Sequence, residues 1–334
     1  MSKKANTELL FELLDQGSQL LKQTKGKPYL EALIDTGESF FQGELVTDAE
    51  EETAGKLADL IHQFNRHNFG REEIRRAFQL ATLKGMKEGA LPPGAGVTPD
   101  AVALFMAHLA KLFCSRLAQH PQLVVDLACG PGNLLTCVLN HLPGQPQGVG
   151  VEFDPLLIRL AYINANLQEH AIEFFRQDAL KPVYFSRVNL VVCDLPVGIY
   201  PDRDNAKRYE LYAEDQDSYA HQLFIEQAIH VAEEGAYLIF LIPNQLFTEP
   251  GAPRLRELIT KETHIQALLQ LPDSLFQSGS IHKSIFILQK KGDAVQPPRQ
   301  TLLAKLPSFT NKQKLSQVWA QIEEWIEVNK PCQK

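Results

Sequence analysis

Residues 124–135 read V-V-D-L-A-C-G-P-G-N-L-L. The apolar run that closes on Asp126 has the character of a buried strand, and Gly130 and Gly132 supply the backbone freedom of a sharp turn. A helix is expected to open at Asn133, and a second strand ends in the acidic Glu152. Strand, glycine turn, helix and acid-terminated strand together form the frame of a nucleoside-cofactor site.

Outward from this frame the chain alternates. Strands are expected over 123–127, 148–153, 172–176, 190–193, 236–242, 265–270 and 284–289, with helices near 133–141, 155–166 and 218–231. Repeating βα units imply an α/β fold, a mostly parallel sheet covered by helices on both faces. Asp126, Glu152, Asp178 and Asp194 fall at carboxyl ends of strands, where such sheets bind ligands. Packing alone does not account for them, because an unpaired buried carboxylate is costly.

Residues 7 to about 90 read as helices, from Leu9, Leu10, Leu13 and Leu14 through Leu30, Leu33 and Ile34, then Leu57, Leu60, Ile61 and Phe64, then Ile74, Phe78, Leu80, Ala81 and Leu83. The acidic run D-A-E-E-E from Asp48 suits a helix N-terminus. Arg71, Arg75 and Arg76 form either a solvated helix face or a phosphate-backbone contact. The Pro/Gly-rich segment 91–99 marks a boundary, after which Thr98 is expected to cap a helix with Pro99 in its first turn. A last helix carrying Leu315, Val318, Trp319, Ile322, Trp325 and Ile326 is expected to pack on the body. The expected organisation is a helical N-terminal domain over 1–90, the α/β domain over 91–291 and a C-terminal extension over 292–334. Lys283, Lys290, Lys291, Arg299, Lys305, Lys312 and Lys314 face a single acid, Asp293, and read as solvated surface or a local nucleic-acid contact.

Composition narrows the class. The 334 residues are 44% hydrophobic and carry a formal charge of -7, so any nucleic-acid surface must be local. Five cysteines without a C-x-x-C pair fit reduced cytoplasmic thiols, with no metal site expected. A catalytic thiol at Cys129 competes with the plainer reading that small residues suit such a turn. No apolar leader and no run of the ~18 residues that span a bilayer is visible, which predicts a soluble protein without membrane attachment.

The turn also selects the cofactor. A dinucleotide fingerprint needs a third glycine where Leu135 stands, and a phosphate loop needs a G-K-[ST] that is absent. Asp126 would repel a phosphate and attract a cation. S-adenosylmethionine meets these demands, having a sulfonium and an ammonium but no phosphate. Gly130 and Gly132 would admit its methionine portion, Asp126 its amino group, Glu152 its ribose and Asp178 its adenine.

This ordered set resembles the class I methyltransferases. More narrowly, residues 92–291 resemble the N-6 adenine DNA methylase family, which includes the modification subunits of type I restriction systems, and within it the small stand-alone relatives called YtxK-like. V-T-P at 97–99, G-V-E-F-D-P at 150–155, the run L-F-I-E-Q-A-I-H-V-A-E-E-G-A-Y-L-I-F-L-I-P-N-Q-L-F and the pair L-P-D-S-L-F…H-K-S-I-F-I-L-Q-K-K carry the likeness beside the glycine loop. The resemblance implies a Rossmann-like class I methyltransferase fold with a mixed, mostly parallel seven-stranded sheet, preceded by a small helical domain. It also implies further cofactor contacts from Thr98, Ala128, Asn133, Phe153 and Ala179, and a catalytic [N/D]-P-P-[Y/F] motif, matched here by Asp194, Leu195, Pro196 and Val197. In that motif an acid and a backbone carbonyl accept the hydrogens of an amine, and the aromatic stacks on an extruded base. Leu195 replaces the first proline and Val197 the aromatic, with Tyr200 as the expected substitute. The expected activity is methylation of an amino group, first of all adenine N6 in DNA, by base flipping and direct transfer. RNA, a protein amide, or a non-catalytic cofactor-binding module with a lapsed site are the alternatives. Only a short polar loop with Arg203, Lys207 and Arg208 stands where the family carries target-reading elements, which implies DNA as partner with a separate specificity subunit.

Overall fold

Apolar residues at helical spacing produce four helices ahead of the glycine turn: α1 (Lys3–Lys25), α2 (Tyr29–Gln42), α3 (Glu51–Asn65) and α4 (Arg71–Glu88). They are seen in a computed structural model that describes residues 3–89, 96–117, 119–276 and 280–329. Helix α2 starts directly behind Pro28 and stops at Gly43, whose φ of 75° is left-handed. Glu51 and Glu52 sit in the first turn of α3, where the helix dipole favours them. Leu10, Leu14, Leu33 and Phe78 are sealed in one core, and Leu157, Leu160, Ile163 and Leu167 of the α/β region belong to that same core. Leu80, also among the apolar residues of α4, points outward at 47% exposure.

The alternating segments follow as α5 (Asp100–Cys114), β1 (Leu123–Asp126), α6 (Asn133–His141), β2 (Gln147–Glu152), α7 (Pro155–Leu167), β3 (Ile172–Arg176) and β4 (Val188–Asp194). Then come α8 (Arg203–Ala206), α9 (Ala220–Val231), β5 (Ala232–Pro243), α10 (Ala252–Glu262), β6 (Thr263–Gln270), β7 (Lys283–Lys290), β8 (Leu302–Lys305) and α11 (Lys312–Val328). The strands form one sheet in the order β3-β2-β1-β4-β5-β7-β6-β8. β7 runs antiparallel to both its neighbours, and all other pairs are parallel. The mixed, mostly parallel sheet therefore has the expected seven strands and an eighth. That edge strand, L-L-A-K, is only four residues long and leaves Leu303 69% exposed, so no apolar run announces it. Helix α10 was also not marked by the pattern; it is opened by Gly251, with φ 84°, and by a proline in its first turn.

Ile322 and Ile326 of α11 are buried in one core with Val102, Phe113 and Tyr237, as the spacing of its apolar residues predicts. Helix α5 begins at Asp100, and the Pro99 carbonyl accepts from Val102 and Ala103. Thr98 does not cap it, because its hydroxyl is used elsewhere. The chain leaves β1 on one side toward β2 and β3, then crosses to β4 on the other. This reversal opens a crevice at the carboxyl ends of β1 and β4. Among the described residues no helix is long and apolar enough to cross a membrane.

Candidate active site

At the reversal lies a cleft of ≈ 690 Å³. Asp126, Glu152, Asp178 and Asp194, from four different strand ends, all line it. On one side the acids are held by backbone. Gly130, at φ 53°, donates its N–H to Glu152 Oε2 at 2.9 Å, and Asp154 N–H reaches Oε1 at 2.8 Å. Each oxygen keeps a lone pair for a hydroxyl. Burial, the largest cause, raises the Glu152 pKa. Gly132 does not line the cleft. At φ 78° it turns the chain into α6, and a Cβ there would meet Ala161 of α7 at 3.2 Å, so its part is close packing.

Asp126 is 1% exposed and accepts from Ala128 N–H at 3.1 Å. Burial pushes its pKa up to about 7, and its charged neighbours Asp194 and Glu152 are themselves acids. Asp178 accepts from Leu180 N–H at 2.9 Å and from the Tyr200 hydroxyl at 2.5 Å. Phe153 stands 73% exposed at the rim, while Ala128 and the buried Ala179 line the wall. Five carboxylates and one ammonium line the cleft among the described residues. That balance, with a buried acid lacking a cationic neighbour, suits a phosphate-free nucleoside bearing positive charge.

The other side is held by side chains. Asp194 Oδ2 accepts from Thr98 Oγ1 at 3.1 Å, and Oδ1 accepts from Lys283 Nζ. Leu195 is buried, its N–H on the Leu241 carbonyl at 3.2 Å, and Pro196 and Val197 follow it along the cleft wall. Tyr200 departs from expectation. It is not among the lining residues; its N–H is fixed to the Ser218 carbonyl, and Asn205 donates to its hydroxyl at 2.9 Å. Turned toward Asp178, it does not supply the missing aromatic beside Asp194.

Sequence reasoning missed what positions Thr98. Arg75 is fully buried, so it is neither a solvated residue nor a phosphate contact. It bonds Glu72 and Asp100 at 2.6 and 2.5 Å and Asn133 Oδ1 at 2.6 Å. Asn133 Nδ2 and Gln79 Nε2 then hold the Thr98 carbonyl at 3.0 and 3.2 Å. The Asn133 side chain therefore ties the glycine loop to α4. Such a network carries no local sequence signal, since its members come from distant segments. The basic run after residue 282 is likewise split: Lys290 pairs with Glu262, Lys291 bonds the Thr260 carbonyl and Lys305 lies near Asp273. In the polar loop, Lys207 pairs with Asp204 and Arg203 bonds the Glu214 carbonyl.

Burial holds the Cys129 thiol well above its usual range, which disfavours a nucleophilic thiolate. Cys332 lies outside the described residues. Away from the cleft, donor atoms of Glu72, Cys137 and His141 lie within 4.8 Å of one another. Glu72 is committed to Arg75, and burial pushes the Cys137 thiol up to about 12.

Comparison with known proteins places this geometry. Residues 86–321 match the model of the N-6 DNA Methylase family, and residues 8–86 match the YtxK N-terminal helical domain. The uncharacterized protein YtxK of Bacillus subtilis is 39% identical over 332 residues, 98% of this chain and 99% of that protein. A Listeria monocytogenes crystal structure, described as a candidate class I S-adenosylmethionine-dependent methyltransferase, superposes with a TM-score of 0.87 at 38% identity. It covers 96% of this chain and 99% of its own. The EcoEI type I restriction methylase subunit of Escherichia coli is 25% identical over 80% of this chain, which spans 58% of that subunit's length. The chain thus belongs to the N-6 DNA methylase family and is an S-adenosylmethionine-dependent methyltransferase.

Proposed function

We propose that the protein methylates an amino group, in the first place adenine N6 of DNA, at the Asp194–Pro196 segment. The observation that carries this reading is the placement of Asp194, followed by Pro196, in the same cleft as Asp126, Glu152 and Asp178. S-adenosylmethionine supplies a methyl group already activated on sulfur. Asp126 would hold its ammonium, Glu152 the ribose hydroxyls and Asp178 the adenine amine, with the exposed Phe153 ring against the base.

An exocyclic amine is a weak nucleophile because its lone pair is shared with the ring. A hydrogen bond to Asp194 and one to the Leu195 carbonyl localise that pair, and Asp194 can then pass the released proton to water. Positioning does most of the work. Stacking contributes roughly 1–3 kcal/mol per base, so Val197 in the aromatic's place weakens base holding more than transfer itself. A separate specificity partner reads the target, and a cytoplasmic location follows from that substrate. Val197, together with the covered Asp194, favours one second reading: a cofactor-binding module acting through partners.

Labelled S-adenosylmethionine incubated with DNA, RNA and protein in parallel tests the proposal. Label in DNA, recovered as N6-methyladenine, is the expected result. Label confined to RNA or protein overturns the substrate, and binding without any transfer favours the second reading.

A further inference from the structure

The family motif ends on β4, but the acid it contributes is covered from β7. Lys283 opens that strand, two strands away from Asp194 in the sheet, and its Nζ donates to Asp194 Oδ1. Thr98 engages Oδ2. The two side chains of the ion pair are 24% and 22% exposed, so water screens them only partly. Both carboxylate oxygens are engaged where an incoming amine needs an acceptor. Lys283 is also the ammonium that stands among the cleft's carboxylates. Buried His221 lies close enough to feel it, but His221 is bonded to Glu249 at 2.7 Å, and burial first, then Lys283, push its imidazole toward the neutral form. Asp194 is thus the anion that balances Lys283.

A sulfonium bound in this cleft is a second cation competing for that anion. Like charges a few ångströms apart in a partly buried site repel strongly enough to shift binding tenfold or more. The lysine stem, with four rotatable carbons, lets the ammonium swing away without moving the strand. We propose that Lys283 is a charge-sensing latch on Asp194. It covers the carboxylate whenever the cleft carries no sulfonium, and gives it up when the sulfonium form of the cofactor is bound. With the neutral thioether of S-adenosylhomocysteine in place, Lys283 closes on Asp194 again. The acceptor carboxylate is then open only while a methyl group is available. Lys283 in this account is a positioning residue acting through Asp194, and the inference rests on the reading of the cleft given above.

Calorimetric titration of the full chain with S-adenosylmethionine and S-adenosylhomocysteine tests it, the readout being the ratio of the two affinities. In Lys283→Met the competing cation is gone, and the ratio is expected to move about tenfold toward the sulfonium ligand. In Asp194→Asn the ammonium is left unneutralised, and the ratio is expected to move about tenfold the other way. Lys283→Arg keeps the charge and is expected to stay within about threefold of wild type. Retained S-adenosylhomocysteine binding shows that the cleft of each variant is folded; if Lys283→Met is not, the Asp194→Asn ratio decides alone. Ratios equal to wild type overturn the latch and leave the cofactor site standing. A wild-type chain that binds neither ligand overturns both.

Discussion

Asp126, Glu152 and Asp178 each accept a backbone N–H from the residue two positions on, whereas Asp194 is fixed by side chains far along the chain. Glu152 accepts from Gly130 and Asp154 N–H groups and Asp126 from Ala128, two residues on. Asp194 accepts from Thr98 and Lys283, 96 and 89 residues away in sequence. The first kind of site forms wherever the strand–turn–helix unit folds. The second depends on α4, α5 and β7 arriving in register, so it can be altered by changes remote from the motif. The proposed cofactor half is built locally, and the proposed acceptor half is built by assembly.

The largest expected effect breaks the link between the halves. Arg75→Met strands Asn133, Gln79, Glu72 and Asp100 around a site with no exposure. It is expected to lower stability by about 3 kcal/mol, read as a fall in the thermal midpoint, because buried acceptors lose their charged donor. Asp126→Asn tests the cofactor half alone. S-adenosylmethionine binding is expected to weaken by about 2 kcal/mol, roughly thirtyfold, as a charged contact becomes a neutral one. The wild type adds a pH signature. Asp126 must lose its proton to meet an ammonium, and burial holds that pKa at about 7. Affinity is therefore expected to fall about fivefold between pH 7 and pH 6, and this dependence vanishes in Asp126→Asn.

Tyr200→Phe sharpens the assignment of a residue that the motif spacing put beside Asp194. Its hydroxyl serves Asp178, so about 1 kcal/mol of cofactor binding is expected to be lost. The loss should appear in KM for S-adenosylmethionine with kcat little changed; a fall in kcat alone would return Tyr200 to the acceptor half. Smallest of all, Lys207→Ala on the solvated polar loop is expected to change neither binding nor melting.

What was legible in the sequence follows the same division. Buried strands read as apolar runs, and each acid takes its place in the cleft from the strand it follows, so the parallel core and the acid-lined cleft were visible. The eighth strand was not, because a four-residue edge strand with one exposed leucine resembles tail. Arg75 read as surface because helical spacing says where a side chain points, not whether distant acids wait there. Lys283 read as one of several scattered lysines, since only the pairing of β7 with β5 brings it over Asp194. Tyr200 was misplaced because the bridge between Ile199 and Tyr219 turns the chain away from the acceptor end.

Under the proposed function Asp194 accepts an amino group for methylation while the rest of the cleft holds the cofactor. Wild type and Asp194→Ala compared on DNA decide this, with N6-methyladenine quantified among the digested nucleosides and S-adenosylmethionine affinity measured on the same preparations. The expected result is N6-methyladenine from the wild type, a loss of at least about a hundredfold in the variant, and an S-adenosylmethionine affinity lowered by no more than about tenfold, the repulsion of an unneutralised Lys283. Equal methylation by the two proteins, or methyl transfer to RNA or protein and never to DNA, would contradict it.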